Sequence, residues 1–325
     1  MPESHAKHAE MHHDDWVYSE LPALKSHLPL SFIPAALKLS PRMKIDFLVP
    51  GINKCGTTTL CYLLGQHPQI FIPEMKEPHH FNRPDVVEHR AAYEGLFAPA
   101  SSGQLLGEGS QMYSTLEFAE LVCARLKQEN PQMKFIFSVR NPLKRIESSY
   151  REFHHSGPHY AVNAPFGLGR AIAELPALLD DSHYWARIQP FREHFSDEQI
   201  MVVFLEDLQR DPTTELARCY EFLGVDTAFQ NPSAGAQLNS RDEKFYDTRL
   251  LRLLRTNRFT GFKLAKISVP RQNELFSRLG LRQKFAKSLQ WEGASKADTV
   301  NALRQDVQQF LAFYGKPADY WPEFV

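Results

Sequence analysis

Two stretches of this chain carry side chains whose types and spacing suit the binding of anions. The first is PGINKCGTTTL, residues 50–60. Gly51 and Gly56 permit backbone angles and close approaches that other residues resist, and the amides of a helix starting after Gly56 face outward at the positive end of its dipole. Lys54 adds a mobile charge, and the hydroxyls of Thr57, Thr58 and Thr59 add donors in the first turn. The pattern departs from the nucleoside-triphosphatase loop G-x-x-x-x-G-K-[ST]. The glycines are spaced as required, but Thr57 stands where that loop needs its lysine, and Lys54 lies inside the loop. No strand-terminal Asp offers itself to magnesium, so a nucleotide kinase or NTPase is the alternative and not the first reading.

The second stretch is RNPLKRIESSY, residues 140–150. Arg140 ends an apolar run that reads as a buried strand, which is where open α/β sheets bind ligands, and a guanidinium is the best side-chain fork for phosphate. Ser148 follows Pro142 by roughly 9 Å along a helix, so both groups reach one ligand only if it lies alongside that helix. The plainer reading makes Arg140 and Arg145 surface ion pairs and Ser148 a solvent-facing residue.

These residues need elements to hold them. KIDFLVP (44–50) reads as a strand and GTTTLCYLLGQHP (56–68) as a helix, with Leu60, Leu63 and Leu64 on one stripe. KFIFSV (134–139) reads as a second strand, followed by a helix capped by Asn141 with Pro142 at its first position. QIMVVFLED (199–207) reads as a third, followed by a helix with Leu216, Cys219, Tyr220 and Leu223 on its apolar face and Gly224 past its end. Helices are expected at 115–129, 184–195 and 297–314, and over 248–288 with breaks near Gly261 and Pro270. Three strand-to-helix units imply an α/β fold, P-loop-like and three-layered, with a central parallel sheet flanked by helices. Residues 1–42 read as a polar N-terminal extension and 43–325 as a single domain. His5, His8, His12 and His13 in the extension have helical spacing, but terminal histidines of this kind are more often solvated than metal-bound.

Composition removes other classes. The 325 residues carry 37 Lys+Arg against 38 Asp+Glu, a net charge of −1, which argues against general binding to nucleic acid or anionic membrane. Cys55, Cys61, Cys123 and Cys219 are widely spaced and read as reduced thiols. No apolar signal region or membrane span is visible, so a cytoplasmic protein is expected. The sequence carries no signal for an oligomeric state.

With both anion stretches in view, the sequence resembles the sulfotransferases that use 3′-phosphoadenosine 5′-phosphosulfate (PAPS), among them bacterial relatives of the heparan-sulfate and Golgi-type branch. The resemblance rests on GINKCGTTTL at 51–60, KEPHHF at 76–81, RNPLKRIESSY at 140–150, FLEDL at 204–208 with EFLG at 221–224, and LRQDV at 303–307. It implies that Lys54, Cys55, Gly56, Thr57, Thr58 and Thr59 hold the 5′-phosphosulfate, that Arg140 and Ser148 take the 3′-phosphate, and that no metal is required. The product is then 3′-phosphoadenosine 5′-phosphate (PAP). By the same resemblance Glu77 is the general base, with His79 and His80 as alternatives, and Lys54 stabilises the leaving phosphate during in-line transfer. FLEDL becomes a structural motif at the sheet end. Relatives have a Glu-Lys pair where this chain has Glu108 and Gly109, so acceptor placement is expected to differ. The acceptor is expected to be a hydroxyl, less readily an amine, on a small molecule or glycan. Its contacts are sought around 82–115 and 154–183, where Phe153, His154, His155, His159, Tyr160, Tyr184 and Trp185 lie nearby. A non-catalytic PAP- or glycan-binding relative is the other alternative, suggested by Gly109.

Overall fold

The computed structural model describes residues 44–75, 77–156, 164–235, 244–256, 269–286, 288–291 and 295–325. The N-terminal extension with its histidines, and His159 and Tyr160, lie outside the described residues. Residues 43–325 form one compact unit.

Seven strands are described: β1 (Phe47–Leu48), β2 (Ile70–Phe71), β3 (Leu105–Glu108), β4 (Lys134–Val139), β5 (Ile200–Phe204), β6 (Phe245–Asp247) and β7 (Arg282–Lys284). The described helices are α1 (Thr57–Leu64), α2 (Arg90–Gly95), α3 (Ala119–Glu129), α4 (Pro142–His155), α5 (Leu168–Glu174), α6 (Ala177–Asp180), α7 (Tyr184–His194), α8 (Leu205–Arg210), α9 (Pro212–Leu223), α10 (Arg249–Thr256), α11 (Val269–Arg278) and α12 (Ser295–Phe313). The main sheet is parallel in the order β2-β3-β1-β4-β5, and its best-formed pair runs in register from Phe135 opposite Ile200 to Val139 opposite Phe204.

Why the sheet is covered on both faces follows from its side chains. Successive residues of a strand point to opposite faces. In β4, Phe135, Phe137 and Val139 join an apolar cluster with residues of α3, α4, α7 and α12. Ile136 between them joins a second cluster with Leu60, Leu63 and Leu64 of α1 and Leu216, Cys219 and Tyr220 of α9. Two dry faces on one parallel sheet give three layers, as the continuous apolar runs imply.

Local chemistry sets the helix starts. The Asn141 side chain accepts from the amides of Leu143 and Lys144, and the Asp211 side chain accepts from Thr214 N, each ahead of a proline at the first helical position. Gly224 ends α9 in the left-handed conformation, φ 81°.

Three expectations need correction. The 44–50 strand pairs only at Phe47–Leu48, and the short strands β2 and β3 were not visible as patterns because neighbours, not side-chain alternation, define them. The third strand stops at Phe204, and Leu205–Asp207, expected within it, open α8. Finally, 248–288 is not helical throughout. After Gly280, at φ 67°, the chain extends as β7 and pairs antiparallel with β6, where Arg255 and Arg282 both meet buried Asp247.

Candidate active site

Because the sheet is parallel, the segments following β1, β2, β3 and β4 leave from the same edge, which is where such sheets bind ligands. The site is built from these four segments.

The first, residues 49–56, is held from below. Ile52 N donates to Ser138 O and Ser138 N to Gly51 O, both at 2.9 Å, while Ser138 Oγ donates to Cys55 O at 2.6 Å. From the side, Asn53 Nδ2 donates to Asp181 Oδ2 and Arg145 Nη1 to Asn53 Oδ1, both at 2.7 Å. Arg145 is therefore no surface ion pair. Its guanidinium is fully buried and also donates to Ser182 Oγ and Leu178 O. Gly56 sits at φ 85°, and a Cβ there would lie 2.7 Å from Leu205 Cδ1, so both conformation and space demand glycine. The first bond of α1 runs from Leu60 N to Gly56 O, which puts the amides and hydroxyls of Thr57, Thr58 and Thr59 at the positive end of the helix. Cys55 departs from its neighbours. Its amide donates to Ile52 O, its thiol lies 3.5 Å from Tyr184 Oη, and burial pushes that thiol up to about 11. Its side chain is core, not ligand surface.

Arg140 and α4 close one side. Arg140 Nη1 donates to Lys54 O at 3.3 Å, and its buried Nε has no hydrogen-bond partner among the described residues. An unpaired buried guanidinium nitrogen points to a missing acceptor. Along α4, Ser148, Glu152 and Ser156 are four residues apart and so share a face. The Lys54 ammonium reaches this face, 2.8 Å from Glu152 Oε2. The anion loop thus lies alongside α4, the geometry that Arg140 and Ser148 need to serve one ligand.

The second loop carries Glu77 and His79 and has no regular structure of its own. Its backbone is fastened by the segment after β3: His79 N donates to Ser110 Oγ and Phe81 N to Tyr113 Oη, both at 3.1 Å. Ser110 in turn donates to Glu108 Oε2 at 2.7 Å. The same segment reaches the first loop through Ser114 Oγ, which donates to Pro50 O at 2.8 Å. Glu77 and His79 face each other, Oε2 to Nε2 at 3.5 Å, and both ring nitrogens of buried His79 lack hydrogen-bond partners among the described residues. His80 points elsewhere. It stacks on Tyr93 at 4.2 Å between centroids, and burial together with Arg90 pushes it down to about 3. Its Nδ1 lies 3.2 Å from His89 Nδ1, so the ring packs against α2 and its lead-in residue rather than beside Glu77.

Glu108, fully buried, has its carboxyl pushed up to about 7 by burial, with Ser110 and Tyr113 opposing and Glu77 reinforcing. Gly109 is packed against α1, and a Cβ there would come within 2.6 Å of Cys61 Sγ. A side chain at this position would start toward the core. Of the aromatic candidates for acceptor contact, Tyr184 and His154 are also core residues. Trp185 packs on Phe313 and Arg192.

Among the described residues, the non-glycine positions with positive φ are Lys54 at 63°, Glu77 at 104° and His79 at 50°. Such backbone is costly for L-residues, about 1–3 kcal/mol each, and persists where surroundings over-determine it. Residues that the sequence did not single out include Asn53, Glu152, Asp181 and Arg187. Glu152 alone had a local signal, one helical turn beyond Ser148. Lys244 closes LNSRDEK (238–244), a candidate by resemblance for the late nucleotide-wrapping loop, of which residues 238–243 lie outside the described residues. Among the described residues no group of three or more His, Cys, Asp or Glu is arranged for a metal, and no helix is long and apolar enough to cross a membrane.

The family model described as "Sulfotransferase domain" matches residues 44–310. The chain belongs to the sulfotransferase domain family. Among similar proteins, heparan sulfate glucosamine 3-O-sulfotransferase 3B1 of Mus musculus is 28% identical over 215 residues, 63% of this chain and 52% of the mouse protein. The bifunctional heparan sulfate N-deacetylase/N-sulfotransferase 2 of Homo sapiens is 26% identical over 201 residues, 57% of this chain and 22% of the human one. The chain therefore spans about half the length, or less, of these two relatives. A sulfotransferase from Alicyclobacillus acidocaldarius has the same fold, with TM-score 0.58 at 20% identity, covering 85% of this chain and 97% of that one. Within this family's fold, one of the two fastened loops has the geometry to suit an anion, and the other brings a carboxylate and an imidazole together.

Proposed function

We propose that this sulfotransferase-family protein moves the sulfuryl group of PAPS to a hydroxyl of a glycan or small molecule. An acceptor hydroxyl is a poor nucleophile, so Glu77 takes its proton as it attacks sulfur, and the sulfur–oxygen bond to the 5′-phosphate breaks in line with the attack. Lys54, with the amides at the start of α1, neutralises the charge that grows on that phosphate, and PAP departs. Arg140 and Ser148 hold the 3′-phosphate. His79 orients the Glu77 carboxylate. The reading is carried by the coincidence of backbone strain with chemistry, since Lys54, Glu77 and His79 are the positive-φ non-glycine residues among those described. The heparan sulfate 3-O-sulfotransferase and N-sulfotransferase relatives support a glycan acceptor.

Glu77→Gln tests the assignment. PAP affinity should stay within about twofold while turnover falls by roughly two orders of magnitude or more, as for loss of a general base. An unchanged rate moves the role to His79. The kinase alternative is tested on the wild-type protein by thermal stabilisation: a strong shift with Mg·ATP and none with PAP would overturn the sulfotransferase mechanism.

A further inference from the structure

Lys54 does not stand alone on Glu152. The ammonium of Lys244 reaches the same oxygen, Glu152 Oε2, also at 2.8 Å, while Ser156 Oγ donates to Oε1 at 2.6 Å. Two ammonium groups on one oxygen lie within twice that distance of each other, close for like charges. The three residues come from the anion loop, the end of α4 and the lead into β6. Lys244 is placed by its own carbonyl and by the backbone that follows it: Phe285 N donates to Lys244 O at 3.4 Å, Phe245 N donates to His155 Nδ1 at 3.1 Å, and Phe245 pairs with Lys284 across β6 and β7.

The arrangement holds more charge than anchoring Lys54 requires. One carboxylate and one lysine would cancel. The second lysine leaves a net positive charge in a partly buried place, each of the three side chains being about a quarter exposed. Burial alone would push the Glu152 carboxyl up, but Lys54 and Lys244 outweigh it and hold it far below the usual carboxylate range. The anion is therefore permanent at working pH. A carboxylate holding two cations one helical turn beyond Ser148 resembles, in charge, the group those cations would meet in a phosphosulfate.

We propose that Glu152 is a positioning residue of the donor site: it gathers Lys54 and Lys244 into one cationic pair and is displaced from them by the donor's anionic oxygens, so that Lys244 becomes a second cation on the phosphosulfate. This rests on the PAPS reading above. Because Glu152 competes with the ligand for the same ammonium groups, it weakens donor and product binding and speeds the departure of PAP.

Calorimetric titration with PAP tests this on the full chain, without need of an acceptor. Glu152→Gln should bind PAP about tenfold more tightly, and Lys244→Met about tenfold more weakly with a shallower dependence on salt. In steady-state turnover Glu152→Gln should show a lower kcat limited by PAP release, with an undiminished first turnover. A merely structural Glu152 would give equal or weaker PAP binding in Glu152→Gln, and that result overturns the proposal, as does wild-type affinity in Lys244→Met. Should Glu152→Gln fail to fold, the Lys244→Met affinity decides. Wild-type protein that takes up no PAP overturns the donor reading and this proposal with it. PAP binding by the wild type with no gain in Glu152→Gln overturns this proposal alone.

Discussion

Glu108 shows how one buried side chain ties the loop that carries Glu77 and His79 to pH. Its carboxyl accepts from Ser110, which accepts from His79 N, so the proton on Glu108 bears on the segment that presents Glu77 and His79. With a folded pKa near 7 against an ordinary 4.5, the native state holds this proton more tightly than the unfolded chain. Native protein then loses stability as pH rises from 4.5 toward 7, by about 3 kcal/mol in all, and keeps the full deficit above that range. Glu77 adds to the penalty, while Ser110, Tyr113 and Tyr93 reduce it. Glu108→Gln should remove the dependence. Urea unfolding at about pH 5 and pH 8 should show the variant gaining on the wild type at the higher pH, by up to about 3 kcal/mol. Parallel losses in both proteins would place the pH response elsewhere.

At the scale of elements, what was legible in the sequence had complete local signals. The start of α4 was spelled out by Asn141-Pro142, the end of α9 by Gly224, and the body of β4 by an unbroken apolar run. The short strands β2 and β3 carry almost no pattern, because parallel neighbours far away in sequence define them. The same limit hid the support of the anion loop. Arg145 and Arg187 look like surface residues in a linear reading, yet both are fully buried around Asp181. Arg187 also donates to Ser114 O and Ser114 Oγ, so Asp181 joins α4, α7, the segment after β3 and, through Asn53, the loop itself. Removing one partner of a buried ionic network leaves the others desolvated and uncompensated. Asp181→Ala should therefore cost about 3–5 kcal/mol in chemical denaturation. It should also weaken PAP binding, since Asn53 loses its anchor. A loss below about 1 kcal/mol would mean that the two guanidinium groups find sufficient partners in Ser182, Ser114 and the carbonyls.

For the whole molecule, near-neutral charge and a strongly cationic site have different consequences in salt. With 37 basic and 38 acidic residues the chain has little net self-repulsion, so its unliganded stability should change little with moderate ionic strength. Around the anion loop, however, Arg140 bonds the Lys54 carbonyl, Lys54 and Lys244 share the Glu152 carboxylate, and the start of α1 adds its amides. Screening shortens the reach of such charges from about 10 Å at 0.1 M salt toward about 3 Å at 1 M. The increase in Tm produced by saturating PAP should therefore shrink severalfold between about 0.1 M and 0.5 M sodium chloride, while the Tm without PAP stays nearly constant. Constancy of the unliganded Tm matters, because it separates screening at the site from a general effect of salt on folding. An equal PAP shift at both concentrations would assign recognition to the backbone amides of α1 and to packing of the adenosine, and would reduce the three cations to bystanders.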